Sequence, residues 1–188
     1  MSTPSSGECS AISRTLTIDH IDLFPTLIWQ SRLSGLAPIF PGWIDALARQ
    51  PDGGVLDRPA FAELHAALRA CCQHVFGQMG QQGRGFRLES RAALHVRGDF
   101  DFPHLNPGVL LSGIFYLQVP EGSGSLVFRD PRPSLQHSPF KGGGANAHAD
   151  LRLTPEAGLA VLFPNWLEHH AEPHGGGAAR IAIHFNAV

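Results

Sequence analysis

Phe163-Pro-Asn-Trp-Leu-Glu-His169-His170-Ala-Glu-Pro173, and after it Arg180-Ile-Ala-Ile-His-Phe-Asn186, are the two phrases whose reading decides the fold. The second alternates: Arg180, Ala182 and His184 fall on one face of a strand, and Ile181, Ile183 and Phe185 on the other. An Arg pointing into a barrel is costly unless an anion meets it, because a buried charge needs a partner. Its planar fork suits a carboxylate better than a Lys would, and the small Ala182 beside it leaves room for a ligand. His169 stands eleven residues before Arg180, in the turn that follows Phe163-Pro164. An imidazole and a guanidinium on neighbouring strands can share one pocket. The pattern points to a metal site that also holds a dicarboxylate.

Upstream, the apolar strand Leu110-Leu-Ser-Gly-Ile-Phe-Tyr-Leu117 is preceded by Asp101-Phe-Pro-His104-Leu-Asn106-Pro-Gly108, which sets His104 at a strand mouth. In a jelly-roll barrel His104 and His169 can converge although 65 residues separate them. Two such His, with open positions opposite, form the greater part of a 2-His-1-carboxylate iron centre. Tyr116, the single Tyr of the chain, can offer a hydroxyl donor to the carboxylate that Arg180 binds.

Further strands are expected at Phe86–Val96, Leu126–Arg129, Leu151–Thr154 and Leu159–Phe163, with Ile21–Trp29 as an opening strand interrupted at Pro25. Phe61, Leu64, Leu68, Cys72, Val75 and Met79 recur at helical steps and predict one amphipathic helix. Asp57 is its expected N-cap and Gly80 its expected C-terminal stop. A shorter helix is expected over Gly42–Arg49, and Trp166 is expected to pack beneath the His169 turn. Pro131 to Asn146 reads as a long loop, of the kind that serves as a lid or binding loop. Helices followed by a run of strands give an α+β class, with a double-stranded β-helix (a jelly-roll or cupin-like barrel) carrying the site behind an N-terminal helical layer.

With 188 residues the chain is expected to be a flexible tail over 1–17 and one domain over 18–188. Charge is nearly balanced, 14 basic against 16 acidic residues, with no basic block to suit nucleic acid or anionic membrane. Three Cys, two of them adjacent at Cys71-Cys72, make no disulfide framework. With neither an apolar leader nor a membrane-length apolar run, they predict a cytoplasmic location.

The ordered phrases His104-x-Asn-Pro-Gly, Ser112-Gly-Ile-Phe-Tyr-Leu-Gln-Val-Pro120, Phe128-Arg-Asp-Pro-Arg132, Phe163-Pro-x-Trp-Leu-x-His169 and Arg180-Ile-x-Ile-x-Phe-Asn186 resemble the 2-oxoglutarate/Fe(II)-dependent oxygenase family. The resemblance implies Fe(II) on His104 and His169, with 2-oxoglutarate on Arg180 and, by likeness to prolyl hydroxylases, on Tyr116. It also implies the family reaction: decarboxylation of 2-oxoglutarate to succinate, coupled to hydroxylation of a substrate C–H bond. The chain departs from the family pattern of His-x-Asp/Glu in having Asn106 at the acid position. Asn106 can offer a neutral carbonyl, a weaker iron ligand than carboxylate. Water, a halide, Asp130 or Asp150 are the other third ligands. His148-Ala-Asp150 matches His-x-Asp literally but lies only 21 residues before His169, which leaves little room for the intervening strands. His170 is expected to point away from His169, and His184 to line the pocket at most. The competing class is a cupin-like metal or small-ligand binder without catalysis, or a halogenase-like variant.

Overall fold

The computed structural model describes residues 25–50, 53–139 and 150–188. Its elements run β1 (Trp29–Arg32), α1 (Phe40–Arg49), α2 (Ala62–Gln78), β2 (Leu88–His95), β3 (Leu111–Gln118), β4 (Leu126–Phe128), β5 (Leu151–Leu153), β6 (Leu159–Phe163), β7 (His169–Ala171) and β8 (Arg180–Ala187). A five-stranded sheet has the order β1-β6-β3-β8-β2, and a three-stranded sheet the order β5-β4-β7. Every pairing is antiparallel.

Strand parity distributes the side chains between two cores. Odd positions of β8 (Ile181, Ile183, Phe185) and Phe115 of β3 join Trp43, Leu47, Leu64, Leu68 and Cys72 of the helices. Ile114, Tyr116 and Ala182 turn the other way and meet Leu126, Phe128 and Leu153 of the small sheet. The molecule is therefore layered as helices, large sheet, small sheet, with the site between the two sheets. Gly113 shows how tight the first interface is. Opposite Phe185 in the ladder, a Cβ on Gly113 would lie 2.2 Å from the Phe185 ring. A strand glycine here is a packing requirement.

The helix reading holds for Leu64, Leu68, Cys72 and Val75, all buried. Met79 is 42% exposed and Phe76 takes the last core position, because α2 ends at Gln78. Gly80, at φ +72°, closes the end as expected, with the Gln81 N–H bonded to the Phe76 carbonyl at 2.7 Å. Asp57 does not cap it. The chain enters α2 through a 3-10 turn, Pro59–Phe61, whose backbone bond from Phe61 N–H to Arg58 O (2.9 Å) replaces a side-chain cap. α1 starts at Phe40, ahead of the expected Gly42, with Pro41 in its first turn, where no N–H is needed.

Residues 21–24 of the expected opening strand lie outside the described residues. The strand observed, Trp29–Arg32, begins where the expectation ended and pairs with β6. Six further expected strands are present, and the last of them, β8, runs on to Ala187. β7, expected as a turn, is the strand that sequence reasoning missed. Of the expected long loop, Pro133–His137 forms a 3-10 turn and 140–146 lie outside the described residues. Among the described residues no helix is long and apolar enough to cross a membrane.

Candidate metal centre

Residues 98–106 run antiparallel along the free edge of β7. Gly98 N–H donates to His174 O at 2.7 Å and Asp101 N–H to Ala171 O at 3.1 Å. His104 and His169 exchange backbone bonds of 3.0 and 3.1 Å. Between those contacts β7 advances two residues, from 169 to 171, and its neighbour three, from 101 to 104. The extra residue is a β-bulge at Phe102-Pro103. It lets Asp101 and His104 both turn inward, although strict alternation would oppose them, while Phe102 is left 75% exposed.

The direct pairing of His104 with His169 puts their ring centroids 4.3 Å apart. His169 is buried against Phe163, 4.4 Å away, and Phe128. Each imidazole donates its Nδ1–H to a backbone carbonyl, His104 to Phe102 O at 2.7 Å and His169 to Leu167 O at 2.9 Å. A carbonyl can only accept, so in the neutral form of each ring the lone pair is on Nε2. Neither Nε2 has a hydrogen-bond partner among the described residues. Burial holds His169 down to about 4, against the opposing pull of the Leu167 carbonyl, so it is neutral at physiological pH. Two imidazoles anchored through Nδ1 by carbonyls, with Nε2 free of protein partners among the described residues, are a donor arrangement suited to a transition metal.

Residue 106, the expected third ligand, is an amide and not a carboxylate. Asn106 is tied by its N–H to Asn165 O (3.1 Å) and by its Nδ2–H to Ser112 Oγ (2.9 Å), which leaves Oδ1 as its uncommitted donor. Among the described residues no three of His, Cys, Asp and Glu are grouped to hold a metal. Asp130 is engaged by Arg132, whose Nε and Nη2 lie 3.0 and 2.8 Å from its two oxygens. Asp150 lines a cleft of about 650 Å³ with Leu105, Trp166 and Glu168. Leu105 and Glu168 are chain neighbours of the inward-facing histidines, whereas Trp166 is half exposed and not packed beneath the turn. Leu167 is the residue buried there, because it turns inward to the small core. His148 lies outside the described residues, and His170 sits opposite Val127, on the other face of β7 from His169.

Arg180 is buried, 2% exposed, and has no carboxylate within ion-pair distance among the described residues. Its Nη1–H donates to Gly124 O at 2.9 Å and its Nη2–H to His95 Nδ1 at 3.1 Å. Tyr116, opposite Ala182 in the ladder, is also buried. Burial raises its phenol well above the ordinary range and the charge of Arg180 opposes that rise, so the two are near neighbours. Ala93 and Ala182 pair across β2 and β8, giving a floor of two methyl groups between Arg180 and His184.

His184 accepts from Arg91 Nη2 at 3.3 Å and is pushed below its ordinary value by burial first and Arg91 second. The charges of Asp101, His95 and His169 also act on it. A polar wall runs from Arg180 through His95 to Asp101, which lies on the same 98–106 segment as His104. His95 and Asp101, on that wall, were not singled out from sequence. The available signal was parity, since Arg91, Ala93 and His95 alternate with Ala92 and Leu94 on one strand.

Residues 92–186, half of the chain, match the model of the family described as Putative 2OG-Fe(II) oxygenase. The chain belongs to that family. No curated protein sequence matches it. Among solved structures it is similar to a Pseudomonas putida prolyl-4-hydroxylase, at 17% identity and TM-score 0.61 over 86% of this chain and 87% of that one. It is similar to SnoN, a non-heme alpha ketoglutarate dependent epimerase from nogalamycin biosynthesis, at 13% identity and TM-score 0.65, covering 87% and 78%. HygX from Streptomyces hygroscopicus, solved with nickel and 2-oxoglutarate bound, aligns at 16% identity and TM-score 0.58, covering 86% and 82%. At such identities the shared property is the fold.

Proposed function

We propose that this chain is an Fe(II)- and 2-oxoglutarate-dependent dioxygenase on a double-stranded β-helix, hydroxylating a C–H bond of its substrate. His104 and His169 would hold the iron through Nε2, with Asn106 Oδ1 as the neutral third donor. Arg180 would take the distal carboxylate of 2-oxoglutarate, and the Tyr116 hydroxyl would add a donor to it. Bound Fe(II) would supply the place where co-substrate and dioxygen meet and would pass electrons to dioxygen, 2-oxoglutarate giving two more as it is oxidised to succinate and carbon dioxide. The protein's own part is positional: carbonyls fix both imidazoles, Phe128 and Phe163 keep the His169 side dry, and a buried guanidinium provides charge without a competing carboxylate.

The observation that carries this reading is the pair of Nδ1-anchored, Nε2-bare imidazoles on directly paired backbone. Iron-dependent release of succinate from 2-oxoglutarate under air tests it. Tight metal binding with no succinate release would refute catalysis and favour the second reading, a cupin-like binder. Asn106 in place of an acid is what favours that reading, since one fold hosts many functions.

A further inference from the structure

Arg180 is not held by an anion but by an imidazole, and that imidazole is held by an anion. A guanidinium has N–H donors and no acceptor, so the 3.1 Å contact between Arg180 Nη2 and His95 Nδ1 makes Nδ1 the bare nitrogen of that ring. The proton of neutral His95 is then on Nε2, which faces Asp101 Oδ1 at 3.3 Å. His95 is 9% exposed, and its hydrogen bond is the foremost cause of an Asp101 carboxyl held down to about 2. The result is a directed chain, guanidinium to imidazole to carboxylate, across the paired positions His95 and Arg180.

Resting on the co-substrate reading of Arg180, we propose that His95 is a positioning residue for 2-oxoglutarate binding. It fixes the rotation of the Arg180 fork while keeping Asp101 off it. The inner face offers Arg180 a carboxylate of its own in Asp101. A direct pair between them would neutralise the guanidinium and leave the incoming carboxylate to break that pair. With the imidazole between, Asp101 polarises the ring, the ring accepts one Nη2–H, and Gly124 O accepts one Nη1–H. Two of the five N–H groups are spent on neutral partners, and one on each terminal nitrogen, with Nε–H, is left for a ligand. A fork ordered before binding loses less side-chain entropy when the carboxylate arrives.

The test compares two variants for binding of 2-oxoglutarate to the Mn(II)-loaded protein without oxygen, by calorimetry. His95→Leu keeps bulk and removes both polar functions. His95→Gln keeps an acceptor and a donor in one planar group. The expected result is affinity lower by about tenfold or more in His95→Leu and within about threefold of wild type in His95→Gln, with Mn(II) affinity held within twofold in both. Wild-type affinity in His95→Leu, or equal loss in both variants, would overturn the assignment. Should His95→Leu not fold, imidazole ¹⁵N NMR of the wild-type protein decides. A neutral His95 protonated at Nε2 supports the chain, and an Nδ1–H tautomer or an imidazolium overturns it. Failure of the wild-type Mn(II) protein to bind 2-oxoglutarate is a different outcome, which refutes the reading of Arg180 itself.

Discussion

Replacing Asn106 by Asp tests the least family-like feature of the centre. The amide lies in a half-buried position with its backbone N–H fixed to Asn165 O and its Nδ2–H on Ser112 Oγ. Asp is nearly isosteric, and the Ser112 hydroxyl can reverse its role and donate to a carboxylate. A unit charge pair 4 Å apart at an effective dielectric near 20 is worth about 4 kcal/mol, and a dication roughly doubles it. Desolvating a half-buried carboxylate takes back several kcal/mol. A net gain of about 2–4 kcal/mol remains, which is roughly 30- to 1000-fold in metal affinity. Competition of Mn(II) between the protein and a calibrated chelator, at fixed pH and without oxygen, measures it directly. Asn106→Asp should bind Mn(II) at least 30-fold more tightly than wild type. Unchanged or weaker binding in a folded variant would show that residue 106 does not face the metal, and the proposed donor set would be wrong.

Arg180→Ala should weaken 2-oxoglutarate binding by roughly tenfold to a hundredfold, the scale of a lost charge-assisted contact, while Mn(II) affinity stays within twofold. If metal is lost equally, the division of labour between imidazoles and guanidinium fails. His169→Ala should abolish Mn(II) retention on desalting, with less effect on 2-oxoglutarate-free stability than a core truncation of similar size, as thermal melts would show. Gly113→Ala should destabilise by about 3 kcal/mol, because the added methyl meets the Phe185 ring; a neutral melt would refute that packing. Asp101 has a folded pKa below its unfolded one, so its contribution is present above about pH 4 and lost as pH falls toward 2. Asp101→Asn should therefore cost about 2 kcal/mol near pH 6, with the difference from wild type shrinking between pH 4 and 2 in urea titrations. A constant difference across that range would mean that charge is not the source.

Strand positions were legible because each layer interface imposes its own parity, and Ile181-x-Ile183-x-Phe185 against Arg180-x-Ala182-x-His184 carries that parity openly. Arg180 could be named for the same reason, as a charged group on an inward face, whereas His104 and His169 were named from a strand mouth and a turn, and Tyr116 from its hydroxyl. The bulge at Phe102-Pro103 was not legible, since nothing local says that a strand will give one extra residue to its partner. Without the bulge Asp101 has no predicted place inside, and without the His95–Arg180 register His95 is one of eleven histidines. β7 was missed because three residues are too few to show a period, and its ladder partners lie 41 to 45 positions away on one edge and 65 on the other.

Glu168, His169 and His170 are three successive residues, each able to coordinate a cation, and only the middle one faces the other imidazole. What selects it is hydrogen bonding on both flanks, to Phe128 on one edge and His104 on the other. The facing of the two imidazoles is thus written into the ladder itself. A slip of one position would present the Glu168 carboxylate in one direction and the His170 imidazole in the other, so that an insertion near β7 would exchange the inward donor for a second competent one.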